Sequence, residues 1–224
     1  IKTTNVDSFA KVEDYNLGGD LDVTLGYSPR SGDSSIEASR YEAEFSKGFS
    51  FARQDFIVFN KKLEGLYMSS RPRNLVFESG VSYYNKYFES QTIACNMLVK
   101  LGRNLDADER FVLGGLNGLR GYPAREFNGT KLFLVNLEDR FFFVDEFLAL
   151  CGLGGVVFFD AGFVWDESQA VRARDIKSDI GFGLRFALTR SSQGLVLRLD
   201  FAYALEQVRD EKRFVVSFGS KQSF

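Results

Sequence analysis

The chain has 224 residues, with 28 lysines and arginines against 30 aspartates and glutamates, for a formal charge of −2. A protein that binds nucleic acid by displacing phosphate counterions carries a basic surplus or stripe, so that partner class is excluded. The absence of histidine removes imidazole-dependent triads and most zinc sites, and neither a catalytic group, a metal site nor a cofactor is expected.

The longest apolar stretch, Phe147 to Phe159, is broken by three glycines and falls short of the roughly 18 apolar residues that a membrane helix needs. Ile1-Lys2-Thr3-Thr4 lacks the charged start and apolar run of a signal peptide, so the chain reads as a mature or truncated piece. With 24 Phe, 9 Tyr and 21 Gly against 3 Pro, the composition suits strands joined by tight turns and predicts an all-β fold.

In chain order, a weak strand candidate at Val6–Val12 is followed by ten stronger ones. They are Leu17–Ser28, Glu37–Phe51, Gln54–Tyr67, Asn74–Phe88, Gln91–Gly102, Thr130–Phe143, Leu150–Trp165, Ile176–Thr189, Leu195–Glu206 and Arg213–Phe224. Alternation is clearest near the end, where Leu195, Leu197, Leu199, Phe201, Tyr203 and Leu205 interleave with Val196, Arg198, Asp200, Ala202, Ala204 and Glu206. One face is greasy and the other polar or small, so each strand needs a nonpolar medium on one side.

Connection lengths carry the next inference. Phe51–Gln54, Glu89–Gln91, Val144–Phe147 and Arg190–Gln193 are short, whereas Pro29–Ser35, Ser69–Arg73, Arg103–Gly129, Asp166–Asp175 and Gln207–Lys212 are longer. That regular alternation fits a transmembrane barrel with tight turns on one side of the membrane and loops on the other. A soluble barrel of ten strands cannot enclose so many Phe, Leu and Tyr while its opposite face stays wet. The expected architecture is an antiparallel up-and-down transmembrane β-barrel in which the oily face meets lipid and Arg40, Glu42, Glu44, Lys62, Glu64, Glu78, Lys86, Arg185, Arg198 and Asp200 line the interior. Direct pairing of the Leu17–Ser28 strand with the last one would close ten strands. Twelve strands, or the C-terminal part of a larger barrel, remain open.

The longest connection, 103–129, contains Phe111-Val112-Leu113-Gly114-Gly115 and Gly118-Leu119-Arg120-Gly121-Tyr122-Pro123. A segment of more than about 15 residues without strand pattern is functional or disordered, and its apolar content argues against disorder. It is expected to fold back into the barrel.

These residues resemble the BamA/TamA superfamily of outer-membrane assembly and secretion barrels, which includes two-partner secretion transporters and patatin-fused members. The resemblance covers nearly the whole chain and is most specific at Leu113-Gly114-Gly115 with Gly118-Leu119-Arg120-Gly121-Tyr122, at Leu137-Glu138-Asp139-Arg140, and at Phe158-Phe159-Asp160-Ala161-Gly162. It implies that residues 1–224 form one outer-membrane barrel domain, or the C-terminal part of a 16-stranded one. It further implies that Arg120, flanked by Gly121 and Tyr122, tucks into the lumen and contacts Glu138 and Asp160. The parity of Glu138 and Asp160 agrees independently, since both fall on the polar face. The ending resembles the terminal strand that assembly machinery reads, with Phe214, Val216, Phe218, Gly219 and Phe224 as its signal, and with Ser220 and Gln222 as polar interruptions of the apolar face.

What the resemblance implies about function is non-enzymatic insertion or translocation of polypeptides at the bacterial outer membrane. The expected partners are the lipid bilayer and client polypeptides or assembly machinery, with no small-molecule substrate. The competing reading is a passive pore, or an anchor for a secreted passenger such as a patatin-like lipase. Carboxylate pairs such as Glu42 and Glu44 are explained by strand-face spacing without acid–base chemistry. Cys95 and Cys151 read as small hydrophobes rather than a disulfide.

Overall fold

The computed structural model describes residues 1–9, 11–29, 37–52, 55–68, 71–147, 150–167, 169, 172–188, 195–206, 213–220 and 222. Ten strands form one antiparallel meander: β3 (Gly19–Ser28), β4 (Ala38–Ala52), β5 (Asp55–Met68), β6 (Arg71–Phe88), β7 (Gln91–Arg103), β10 (Lys131–Phe147), β11 (Cys151–Trp165), β12 (Lys177–Leu188), β13 (Val196–Ala204) and β14 (Phe214–Ser220). Two small hairpins accompany it. Strands β1 (Lys2–Thr4) and β2 (Val12–Asp14) precede the sheet, and β8 (Phe111–Leu113) pairs with β9 (Phe127–Gly129) inside the long connection between β7 and β10. Among the described residues the remaining regular element is a 3-10 turn at Ala173–Asp175. Among the described residues no helix is long and apolar enough to cross a membrane.

The two faces of each strand separate by polarity in the sense opposite to a soluble protein. In β13, Val196, Arg198, Asp200, Ala202 and Ala204 are buried, while Leu197, Leu199, Phe201 and Tyr203 face outward. Phe182 and Phe218 are 56% and 66% exposed, whereas Asp160, Asp179 and Asp200 are fully buried. Outward aromatic rings stack across strands, with Phe182 to Phe201 at 5.1 Å and Phe201 to Phe214 at 6.4 Å. Such a surface is stable against hydrocarbon and unstable against water.

Ion pairs line the inner face. Lys62 lies within 3.0–3.4 Å of Glu44, Glu42 and Glu64, Lys100 Nζ reaches Glu78 at 2.7 Å, and Arg185 donates to Asp200 at 2.6 Å. Cys95 and Cys151 are both free thiols.

Several expectations are corrected. The weak strand expected at Val6–Val12 is not found: residues 6–9 belong to the connection between β1 and β2, whose first residue is Val12, and Val6 and Phe9 are buried inside the sheet rather than turned to lipid. Among the described residues β3 does not pair with β14; the ladder ends at both strands, and every residue of β3 is exposed. The longer connection expected at Ser69–Arg73 is not found, since β6 begins at Arg71 and only positions 69 and 70 separate it from β5. Pro72 is tolerated there because β7 pairs with β6 only from Leu75 onward, which leaves a local edge where a missing N–H costs nothing. At the opposite end, Val144–Phe147 lies within β10, and the short connection expected at Arg190–Gln193 lies outside the described residues. The last strand stops at Ser220, and Gln222 turns inward to accept a hydrogen bond from Arg185 at 3.1 Å instead of interrupting the lipid face.

Candidate functional site

The site is built where the long connection returns against the inner faces of β10, β11 and β12. Its rim is anchored first. Arg110 Nη2 donates to both oxygens of Asp166 at 2.8 Å, and Asp166 also accepts from the Thr130 amide at 3.1 Å. The Arg110 hydrogen bond holds the Asp166 carboxyl below the usual carboxylate range against the opposing effect of burial. On the other side, Asp106 accepts from Arg73 and from Asn74, and its own amide donates to Asn74 Oδ1 at 2.7 Å.

From this rim the chain descends through a tight glycine-dependent turn. Gly118 has φ of +105°, and a Cβ there would lie 2.4 Å from Leu134 Cδ2. Only glycine combines that backbone with that approach to the wall. Gly121 is needed for space alone: a Cβ would sit 2.5 Å from Asp179 Cβ and 3.0 Å from the Ala204 nitrogen. Leu113, Leu119 and Tyr122 pack with Leu132, Leu134 and Ala204 in a small apolar cluster around the turn.

Arg120 is held between these contacts. Its Nε and Nη2 donate to the two oxygens of Asp160 at 2.7 Å each, and Nη1 donates to Glu138 Oε1 at 2.5 Å. The guanidinium carbon lies over Phe158, 3.5 Å from the ring centroid. Arg120 is 2% exposed and Asp160 0%, so the fork pairs two carboxylates out of reach of solvent. This is the geometry in which arginine outperforms lysine. Asn136 completes the shell by donating to Asp160 Oδ1 at 2.7 Å and to the Gly118 carbonyl at 2.9 Å. The Tyr122 hydroxyl sits 3.0 Å from the Ser178 carbonyl and 3.0 Å from Glu206 Oε2. Burial, followed by the Glu206 hydrogen bond, raises its phenol above the ordinary tyrosine range.

The structure thus brings Arg120, Gly121, Tyr122, Glu138 and Asp160 together. Sequence reasoning missed Asn136, Phe158, Ser178 and Glu206 as participants. Asn136 carried a signal, since it lies two residues before Glu138 on the same face. Phe158 and Asp160 likewise share a face. The terminal-strand group lies elsewhere: Phe214, Val216 and Phe218 face outward at the end of the sheet, Gly219 packs beside Arg198, and Phe224 lies outside the described residues.

Among the described residues no cluster of His, Cys, Asp or Glu is arranged to hold a metal ion. The chemistry offered is electrostatic fixation of a loop.

A ten-stranded antiparallel meander with an oily outer surface and ion pairs inside is a transmembrane barrel sheet of the outer-membrane type. Residues 18–224 match the Omp85 superfamily domain, and the chain belongs to that superfamily. It is 32% identical over 127 residues to the outer membrane protein assembly factor BamA of Nitratidesulfovibrio vulgaris, a match covering 50% of this chain and 15% of that protein. The fold is similar to the crystal structure of BamA from Haemophilus ducreyi lacking POTRA domains 1–3, with a TM-score of 0.51 and 12% identity over 91% of this chain and 59% of the other. The chain therefore spans a small part of the curated relative's length and somewhat over half of the solved one. Its place is the outer membrane.

Proposed function

We propose that residues 1–224 act as one outer-membrane barrel unit that inserts polypeptides into the outer membrane or passes them across it. In this reading the 103–129 loop is seated in the lumen and locked there by Arg120. The observation that carries the proposal is the fork of Arg120 on Asp160 and Glu138. A buried arginine satisfied by two buried carboxylates on separate strands is a costly arrangement for a pore wall and a useful one for a loop that must sit in one place. Membership of the Omp85 superfamily, together with likeness to a BamA assembly factor, supports assembly or translocation as the activity. The partners are then lipid and an unfolded client, met by strand addition at an open sheet edge. No step in this activity breaks or forms a covalent bond. The outward Phe214, Val216 and Phe218 of β14 serve, on this reading, as the strand recognised during the protein's own assembly.

The test is reconstitution. Liposomes carrying the protein receive a urea-denatured outer-membrane porin, and the folded client is counted by its heat-modifiable gel mobility. Faster client folding than in empty liposomes, slowed by Arg120→Ala, supports the proposal. Client folding at the rate of empty liposomes contradicts it and favours the anchor or passive-pore reading.

A further inference from the structure

The segment ahead of the sheet is built into the barrel as deliberately as the loop is. The Glu13 carboxylate gathers the consecutive amides of Val6, Asp7 and Ser8 at 3.1, 2.9 and 2.5 Å, and also accepts from the Ser8 hydroxyl at 2.6 Å. One side chain thereby gathers residues 6–8 into a compact turn. Val6 is fully buried beside Phe56, Tyr84 and Ala94, and Tyr15 packs its ring 4.7 Å from Phe56. Phe9 meets Phe142 edge-on at 4.7 Å, in space vacated by glycine, since a Cβ on Gly154 would lie 2.5 Å from Phe9 Cζ.

The wall also reaches out to the backbone of this segment at the end of the sheet that carries the β6–β7 turn. Lys86 donates to the Thr4 carbonyl at 2.6 Å, Thr92 to the Asn5 carbonyl at 2.7 Å, and Arg140 to the Val6 carbonyl at 2.9 Å. Arg140 is the pivotal group. Besides Val6 it binds Asp7 at 3.0 Å through Nη1, and through Nε it donates to Glu138 Oε2 at 2.8 Å. The other oxygen of Glu138 accepts from Arg120. Asp160, Arg120, Glu138, Arg140 and Asp7 therefore form one unbroken run of alternating charge. It joins the loop entering from one end of the barrel to the hairpin entering from the other.

We propose that residues 1–9 and 11–17 are an autoinhibitory plug of the turn-side mouth, and that the shared Glu138 carboxylate couples its release to release of the Arg120 loop. The inference rests on the barrel reading above and adds a second gate to it. When Arg120 withdraws, the buried Glu138 carboxylate keeps Arg140 as its cationic partner and draws that guanidinium away from Val6 and Asp7. The hold on the plug then weakens. Thermodynamic linkage makes the effect reciprocal.

Hydrogen exchange on the full chain folded into liposomes tests this. The amides of Val6, Asp7 and Ser8 report the plug, and those of Arg120 and Tyr122 report the loop. Phe9→Ala removes the plug's anchor without touching the wall, and Arg120→Gln releases the loop. Each is expected to speed exchange in its own element and, by at least about five-fold, in the other. In a Glu138→Gln background the cross-effect should vanish while the direct effect persists. Acceleration confined to the altered element in both variants overturns the coupling. Plug amides that exchange as fast as an unstructured peptide in the unaltered protein overturn the plug itself. Protein that never becomes heat-modifiable in liposomes fails the barrel reading, whereas heat-modifiable protein whose two elements exchange independently fails this inference alone.

Discussion

Arg120 grips Asp160 through two parallel hydrogen bonds of 2.7 Å, although forty positions and an entire strand separate them in the chain. Because both partners are buried, removing one leaves the other as an uncompensated charge. Arg120→Ala should therefore cost about 3 to 5 kcal/mol of stability. Arg120→Lys should recover only part of this, since an ammonium cannot present two parallel donors to one carboxylate. Urea unfolding in liposomes measures both, and a lysine variant as stable as the unaltered protein would show that the fork geometry is immaterial.

Phe182 and Ala202 lie on opposite faces of adjacent strands, the first outward and the second fully buried within. Near the bilayer midplane an arginine on the lipid side costs about 2 to 4 kcal/mol. Phe182→Arg should lower folding stability by that amount, and Ala202→Ser by well under half of it. Equal losses would mean that inside and outside are reversed.

The glycines of the loop make a steric prediction. Gly118→Ala must adopt a left-handed backbone and also push against Leu134, and Gly121→Ala must displace the backbone from Asp179. Each should cost about 1 to 3 kcal/mol, the range for overpacking a filled site. The loss should appear as faster proteolysis within 110–126 while the heat-modifiable sheet persists. Unchanged protease resistance in both variants would show that the loop has room to spare.

Acidity should loosen the rim. Arg110 holds the Asp166 carboxyl below its ordinary value, so the stabilisation it brings is complete above the usual aspartate value of about 3.9 and is lost as pH falls through the depressed one. Protection of the Thr130 amide, which is shared between Asp166 and the Trp165 carbonyl, is expected to survive at pH 5 and to decline in part below about pH 4. Asp166→Asn should abolish that step. A variant with the same acid profile would assign the step to another carboxylate.

Much of this was legible because period-two alternation reports which face of a strand meets which medium. Leu197, Leu199, Phe201 and Tyr203 announced the lipid side, and the same parity put Glu138 and Asp160 inside. The identity of Arg120's partners came from family resemblance, since no local rule pairs a loop residue with strands 18 and 40 positions away. The plug was illegible for a related reason. Val6 and Phe9 look like strand residues until the glycine recess on β11 is known, and Arg140 meets Asp7 across 133 positions. Parity alone turned Gln222 outward, because it cannot sense that the strand has already ended.

Single-channel conductance of the protein in planar bilayers, compared with that of Arg120→Ala, tests the central claim most directly. A loop pinned in the lumen by Arg120 predicts small or intermittent current from the unaltered protein and a larger, steady current from the variant. A wide, steady pore in the unaltered protein that is indifferent to the substitution would contradict it.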